Sequence, residues 1–502
     1  MKSSRTAGNV CISHDAWPSS SDCLIGTSTG RVCDGYDPAL LNIARSGSSS
    51  LTSSPSIPVY SSPEAARSLE FFKLKSLEQF TSIFNDTFWT ETVLQLVHAE
   101  PAIEYAISTL SLVHENRLKV SVGETFDPGC ALKYYNRAIK ELTRAAVDTS
   151  AMSIEIQIVS CLIFYNIEAL QGHLGTASEL FSHGIRLLNE IFARQSYRPT
   201  TGSAFEGTML SLMLTQFHRL HLQVNLVFNG PNLVALPFSM HSETVFKTPF
   251  TSLDDARLAM EHLCLTFMQS TLCASDKQLN TKRLNTWNHA FNNLLKRTTH
   301  TPSTLRAIAQ LQGLERRLQI ELKCFPDKDD IPTSEDSAPS SNSNLRRTPP
   351  DSPEIRRLHD EIVEYVAISL SGSCSELVFT PDVAIIPALC SVIKTCHDPR
   401  IRRKALKLCQ SANRIEGVWP SALAARIMER YIMLVEQRPG GMSFAPDAEL
   451  GRWSSEVEGE ASLPLRSRSL NVDVVVHDVH KEAYVRYYSD GEEGFRETLV
   501  WT

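Results

Sequence analysis

From Glu64 onward the apolar residues of this chain recur at intervals of three and four, and that period commits most of the polypeptide to helices. Ile103, Ala106, Ile107, Leu110 and Val113 form one such stripe, entered through Pro101, a residue suited to the first turn of a helix. Just before it, Asp86 and Thr87 stand as caps ahead of Phe88 and Trp89, and Val93, Leu94, Leu96 and Val97 follow at helical spacing. The same reading predicts helices over 131–147, 152–171, 174–193, 207–228, 252–270, 284–296 and 304–323, then over 356–370, 383–396, 399–412 and 421–436. Gly172 reads as a turn and Gly184 as a site of close packing. The best specified helix has Asp398 as its N-cap, Pro399 at the first helical position, and a buried face of Ile401, Ala405, Leu408 and Ala412.

Two stretches interrupt the pattern. Residues 41–63 are rich in serine and carry Pro55, Pro58 and Pro63; residues 326–355 are full of Pro, Ser, Asp and Asn. Neither buries enough apolar surface to order itself, so both read as linkers. Near the end, Val472, Val474 and Val476 alternate along the chain, and Ala483 to Tyr488 can pair with them as a hairpin. The expected fold class is therefore all-α: packed antiparallel helices, a disordered N-terminal leader and a small C-terminal β-hairpin. Its expected organisation is a segment 1–40, a linker 41–63, a helical domain in two parts (64–325 and 356–436) joined by the linker 326–355, and a tail 437–502 with the hairpin. No fixed-period repeat is evident.

Composition narrows the function classes. A net charge of −7 argues against a nucleic-acid surface spread over the whole protein, so any DNA contact is local. The 12 cysteines are scattered without a single Cys-x2-Cys, the pattern of reduced, packed thiols in an intracellular protein. The N-terminus lacks a charged start followed by an apolar run, so no secretory signal is expected. The longest apolar stretch noted, Val383 to Ile393, is too short to span a bilayer and contains Pro387, so no membrane partner is expected. The sequence holds no Gly-x-Ser-x-Gly elbow, phosphate loop, Gly-x-Gly-x-x-Gly or His-Glu-x-x-His, and no catalytic residue is assigned.

Two groups of residues carry a resemblance. Thr27-Ser-Thr-Gly-Arg-Val-Cys33-Asp-Gly-Tyr36 resembles the closing segment of the fungal binuclear zinc cluster, a six-cysteine DNA-binding module. Further on, Phe88-Trp89-x3-Val-Leu-Gln-Leu-x-His98-x-Glu100-Pro101-Ala102 is similar to the opening helix pair of the fungal-specific transcription factor regulatory domain. Leu162-Ile-Phe-x3-Glu168-x-Leu-Gln-Gly172 and Leu180-x3-Gly184-x-Arg186-Leu-Leu188 look like its central pair, and Pro249-Phe-x-Ser-Leu-Asp-Asp-Ala-Arg257 like a later element. Ile385-Ile-Pro-x-Leu389, Cys396-His-Asp-Pro-Arg400-Ile-Arg-Arg-Lys-Ala405 and Arg414-Ile-Glu-Gly-Val-Trp419 resemble its C-terminal block. The resemblance spans roughly residues 70–436. It implies an all-helical regulatory domain, a nuclear location, DNA and other transcription regulators as partners (a dimer among the arrangements), and zinc as cofactor where the cluster is complete.

In this chain the cluster is not complete. Cys23 and Cys33 occupy the outer positions of the closing half, but its middle cysteine is Gly26, and only Cys11 lies upstream. A structural zinc needs four ligands, and its binding energy is the folding energy of so small a module. His14 could complete a single Cys3His set, but the spacing Cys11-x2-His14-x8-Cys23-x9-Cys33 has no close Cys-x2-Cys pair. One reading is a leader with scattered cysteines; another is that residues 1–22 replace the true front of the finger. The metal assignment is accordingly none, with Cys23 and Cys33 as remnant positions.

Other pairings have plainer explanations. His98 with Glu100 suits a helix junction better than a catalytic pair. His218 and His221 suggest a metal pair, but no nearby ligand in sequence supports it, and a solvent edge is expected. Arg400, Arg403 and Lys407 form a basic face opposite Ile401, Ala405 and Leu408, solvated by default. Arg414 and Glu416 are expected to pair internally before Trp419, which wedges two helices. Arg346-Arg-Thr348-Pro and Asp351-Ser352-Pro match proline-directed phosphorylation motifs. The function expected is a nuclear transcription regulator that does not bind DNA directly; the rivals are an interaction partner of intact family members and a small-molecule-sensing helical domain.

Overall fold

A computed structural model describes residues 61–81, 83–125, 128–147, 154–195, 204–227, 249–269, 274–324, 351–371, 376–382, 385–436, 453–457, 470–477, 482–488 and 494–501. Ser62 caps the first helix, α1 (Pro63–Phe71), accepting the Ala65 N–H at 3.1 Å, with Pro63 in the first turn. A wide π-helical turn, Phe72–Ser76, leads into α2 (Leu77–Phe80), and a second, Phe88–Thr92, leads into α3 (Val93–Ala99). Then come α4 (Pro101–Ser121), α5 (Pro128–Val147), α6 (Ile154–Gln171), α7 (Leu174–Gln195), α8 (Ala204–Val227), α9 (Leu253–Gln269), α10 (Ala274–Leu295) and α11 (Pro302–Lys323). The second block holds α12 (Pro353–Leu370), β1 (Val378–Thr380), α13 (Ile385–Thr395), α14 (Pro399–Ser411), β2 (Arg414–Glu416), β3 (Trp419–Pro420) and α15 (Ser421–Glu436). Four strands close the chain: β4 (Trp453–Val457), β5 (Asn471–His477), β6 (Glu482–Tyr488) and β7 (Phe495–Trp501).

The all-α expectation holds, and the helices fall close to their predicted spans. Several begin earlier than expected: α5 at Pro128 rather than 131, α8 at Ala204 rather than 207 and α11 at Pro302 rather than 304, besides the two that follow. Helix α10 starts at Ala274 rather than 284, through a polar first turn that carries no apolar stripe. Helix α12 starts at Pro353 rather than 356, because Ser352 caps it, accepting the Ile355 N–H at 3.2 Å. Helix α6 is the hub: Ile156 and every residue from Ile158 to Leu170 are buried. It packs on α4 and α7. Among the described helices it alone is long and apolar enough to cross a membrane, and 78% of that window is buried inside the protein. A second core, built from Phe250, Met260, Trp287, Phe291 and Leu311, fills the space among α9, α10 and α11.

The strands exceed the expectation of one hairpin. The expected pair is present as β5 and β6, with Val472 opposite Tyr487 and Val474 opposite Val485. It sits in a four-stranded antiparallel sheet, ordered β4-β7-β6-β5. Val472, Ala483, Val485, Tyr487 and Leu499 turn their side chains into the main core. The Tyr487 hydroxyl donates to the Ile427 carbonyl at 3.2 Å, and the Tyr431 hydroxyl accepts the Leu470 N–H at 3.2 Å. A smaller sheet was also not foreseen: β1 runs parallel to β2 after a crossover through α13 and α14, and β3 pairs antiparallel with β2. Strands of two or three residues leave no alternation to read.

Both glycine expectations hold. Gly172 ends α6 with φ of 81°, and Gly184 on α7 sits against Phe217 of α8, so that a β-carbon there would run into the ring. Phe217 is itself stacked on Phe181 at 5.8 Å. Gly184→Ala should therefore lower stability by roughly 1–3 kcal/mol, despite the better helix propensity of alanine, because the packed ring has to move. Urea unfolding of the full chain measures this; a stabilised variant would show that the ring yields freely.

Candidate functional site

The remnant positions Cys23 and Cys33, with Cys11 and His14, lie outside the described residues. The three sulfurs in this segment do not match the six thiolates that hold a two-zinc cluster. Among the described residues no group of three or more His, Cys, Asp and Glu side chains could hold a metal ion.

What the fold does assemble is a buried chain of charge. Asp86 caps the turn at Phe88, accepting its N–H at 3.0 Å. Its carboxylate also takes the Gln216 amide at 2.8 Å and the Arg219 guanidinium at 2.7 Å, both from α8. Arg219 Nε continues to Glu261 of α9 at 3.1 Å. Arg257, one turn earlier on α9, donates to Glu261 at 2.6 Å and to Asp382, beyond β1, at 2.5 Å. The Phe84 ring lies 4.5 Å from the Arg257 guanidinium. Asp86, Arg219, Glu261 and Arg257 are all buried. Burial works against the charged Arg257, but Asp382 and Glu261 outweigh it and hold its pKa raised. The chain ties the loop before α3, two helices of the first block and the loop after β1 into one unit. Sequence reading assigned Asp86 only its capping role and gave Arg257 and Asp382 no partner, because the residues joined are far apart in the chain.

A second knot centres on Glu416, which is 0% exposed. It accepts the Ile385 N–H at 3.0 Å and the Ile386 N–H at 2.9 Å, capping α13 from another element. Arg414 Nε stands 2.6 Å from its other oxygen, which realises the expected internal pair. Trp419 is buried in the same cluster. A third joint holds Glu168, a residue of the central motif. It accepts Tyr135 Oη of α5 at 2.6 Å and contacts His173 Nδ1 at the start of α7 at 2.6 Å.

None of this is catalytic geometry. The serine–histidine contact, Ser76 Oγ to His114 Nδ1 at 2.9 Å, is sealed, since both residues are 0% exposed. Gln79 Oε1 accepts the Phe379 N–H at 2.6 Å and faces His114 Nε2 at 3.2 Å, so the imidazole proton sits on Nε2 and Nδ1 accepts from Ser76. His98 is exposed at the end of α3, and Glu100 begins α4, a helix junction as expected. His218 and His221 are half-buried rather than at a solvent edge, because α9 covers them and brings His262 into the same neighbourhood. Burial pushes His218 down to about 4 and lowers His221 and His262 as well. On α14 the basic face is partly neutralised: Arg403 pairs with Glu436, and Lys404 with Asp360 at 2.9 Å. Of the phosphorylation motifs, Arg346 to Pro349 lies outside the described residues, and Ser352 is the α12 cap.

Comparison with known proteins gives one informative match. The chain is 26% identical over 216 residues to the aspercryptin biosynthesis cluster-specific transcription regulator atnN of Emericella nidulans, a match covering 38% of this chain and 33% of that protein. The aligned region thus spans about a third of the relative's length. No family model matches the chain, and no solved structure matches it.

Two expectations follow from the buried groups. Arg257→Ala removes the buried cation shared by Glu261 and Asp382 and should cost about 3–5 kcal/mol in urea unfolding. Arg356→Ala, whose ion pair with Asp351 lies at the surface, should leave the unfolding midpoint close to that of wild type. Equal losses would contradict the ranking by burial.

The second concerns acid. Burial holds His114 and His359 down at about 4, against an ordinary 6.5. The unfolded chain therefore binds protons first as pH falls from 6.5 towards 4, and each histidine removes up to roughly 3 kcal/mol of stability across that window. Burial raises the Glu416 carboxyl instead, which acts with the opposite sign above its ordinary 4.5. Comparing variants isolates the histidines: His114→Gln and His359→Gln should each flatten the fall in Tm between pH 7 and pH 5. Parallel pH profiles for variant and wild type would show that these imidazoles titrate normally.

Proposed function

We propose that this protein is a fungal-type transcription regulator that acts through its helical body and does not itself read DNA. The observation that carries the reading is the similarity to a cluster-specific transcription regulator. The motifs that suggested the same class support it by their placement: Glu168, Arg257 and Glu416 each hold several helices together. A nuclear location follows from that role.

Indirect DNA targeting rests on a specific observation. Gly26 stands where the closing half of a zinc cluster has its middle cysteine, and before Tyr36 the only basic residues are Lys2, Arg5 and Arg31. Phosphate contacts supply most of the affinity of such modules, and here they are few. The second reading is therefore a partner that pairs with regulators carrying intact clusters. A small-molecule-sensing role for the helical domain stays the third.

The test separates these steps. Purified full-length protein should contain no stoichiometric zinc by elemental analysis and should show no sequence preference in a mobility-shift assay. Fused whole to a heterologous DNA-binding domain, it should change transcription from a reporter carrying that domain's site. Two zinc ions per chain would overturn the indirect reading, and an inert fusion would overturn the regulatory one.

A further inference from the structure

The motif Asp351-Ser352-Pro353 stands at the start of α12. A residue before proline is held in extended backbone, and Ser352 has φ of −119° and ψ of 153°. That is the strand-like shape in which an enzyme cleft reads a peptide. Ser352 is half-buried and its side chain is in use, with Oγ accepting the Ile355 N–H at 3.2 Å. Pro353 has no N–H, so Glu354 and Ile355 supply the first donors of the helix, the two positions from which an N-cap oxygen accepts. One hydroxyl satisfies only part of this donor end, whereas a phosphate brings three strong acceptor oxygens and about two negative charges.

The charges around Ser352 are of both signs. Arg356 shares a helix face with it, four residues on, and folds back so that its Nε donates to Asp351 at 2.7 Å. A guanidinium therefore already lies along the first turn of α12. Asp351 holds the Arg356 pKa raised, and Asp398, the cap of α14, adds to the effect. Glu354 pairs with Lys323 at the end of α11, at 3.0 Å. The start of α12 thus meets the end of α11 on one side and the field of the α14 cap on the other, and α12 packs on both helices. Helix α12 opens the second block, so a change at its first turn acts on the seam between the two blocks.

We propose that Ser352 is a phosphorylation site for a proline-directed serine/threonine kinase, and that the phosphate locks the start of α12. In the transfer, Ser352 Oγ attacks the γ-phosphorus of Mg-ATP, its proton passes to the base of the kinase, and the bond to the bridging oxygen breaks to release ADP. The phosphate then accepts the Glu354 and Ile355 N–H groups, meets the positive end of the helix dipole and draws Arg356 from Asp351. Asp351 and Glu354 oppose it, but both lie at the surface, 40% and 57% exposed, where repulsion is weak. The site does not rest on the transcriptional reading, and its test needs neither zinc nor a reporter.

Full-length protein incubated with a purified proline-directed kinase and Mg-ATP should take up phosphate at Ser352, mapped by peptide mass spectrometry. Thr348→Ala, which removes the neighbouring motif, should keep this incorporation. Ser352→Asn, which retains a capping oxygen but has no hydroxyl, should abolish it at that position. Phosphorylated Thr348→Ala protein should melt at a higher Tm than the same protein untreated. The increment should shrink at high salt and in the added Arg356→Gln variant. Phosphate on Thr348 alone, or on neither residue, overturns the proposal. So does modification of Ser352 in a peptide spanning residues 346–358 but not in the folded chain, since it shows the native turn to be closed to a kinase. A Tm unchanged or lowered by phosphate at Ser352 overturns the locking of α12.

Discussion

A single buried carboxylate sets the arrangement of the C-terminal half. Helix α13 is buried along its whole length from Ile385 to Ile393, so its first N–H groups have no route to water. Left unpaired, such donors cost a full desolvation penalty each. Glu416 meets two of them, and its charge suits the positive end of the helix dipole. Burial nevertheless pushes the Glu416 carboxyl above its ordinary value, against the pull of Arg414 and the two N–H groups. Because β2 pairs in parallel with β1, Glu416 lies opposite Thr380, and the short sheet brings the carboxylate under the start of α13. Helices α8, α12, α14 and α15 all pack on α13, so its position governs theirs.

The two blocks of helices are then locked by polar seams rather than by apolar contact alone. In one seam Arg257 reaches from α9 to Asp382, just past β1. In the other, the Gln79 carboxamide of α2 acts like a missing strand beside β1, accepting the Phe379 N–H and donating to the Leu377 carbonyl at 3.4 Å. Both seams end on β1 or its immediate flanks. Buried ion pairs contribute little net stability compared with apolar residues of equal volume, but breaking one is costly. We therefore take these seams as devices of specificity: they penalise any packing in which β1 is displaced, because Asp382, Gln79 and His114 would all lose partners together.

This division explains what could be read in the sequence. The helices were legible because their stripes repeat over many turns, and Gly184 was legible because a glycine inside a strong stripe implies a close neighbour. Asp398 and Pro399 announced α14 in the same way, and the Asp398 side chain accepts the Arg400 N–H at 2.8 Å. The Arg414–Glu416 pair was readable because its members are two residues apart, whereas Glu416 as the cap of α13 was not, since cap and helix are separated by some thirty positions. The same distance hid the Asp86–Arg219–Glu261–Arg257–Asp382 chain. At the C-terminus β5 and β6 show alternating valines, while β7 carries Arg496 and Glu497 near its start, and only the fold brings Arg430 and Tyr487 to Glu497.

The residues behind the family resemblance turn out to be structural ones, and that limits what a resemblance can say. Glu168, Arg257, Arg414 and Glu416 are each occupied inside the protein, joining helix to helix, so their presence supports a shared body rather than a shared ligand. Properties particular to this chain should instead lie where the resemblance stops. The sheet formed by β4 to β7 lies beyond residue 436. Its inner face completes the main core through Val472, Val485 and Tyr487. The core of the helical body is thus closed by strands that lie outside the resemblance, and β5 and β6 are fastened to α15 by the Tyr431 and Tyr487 hydroxyls.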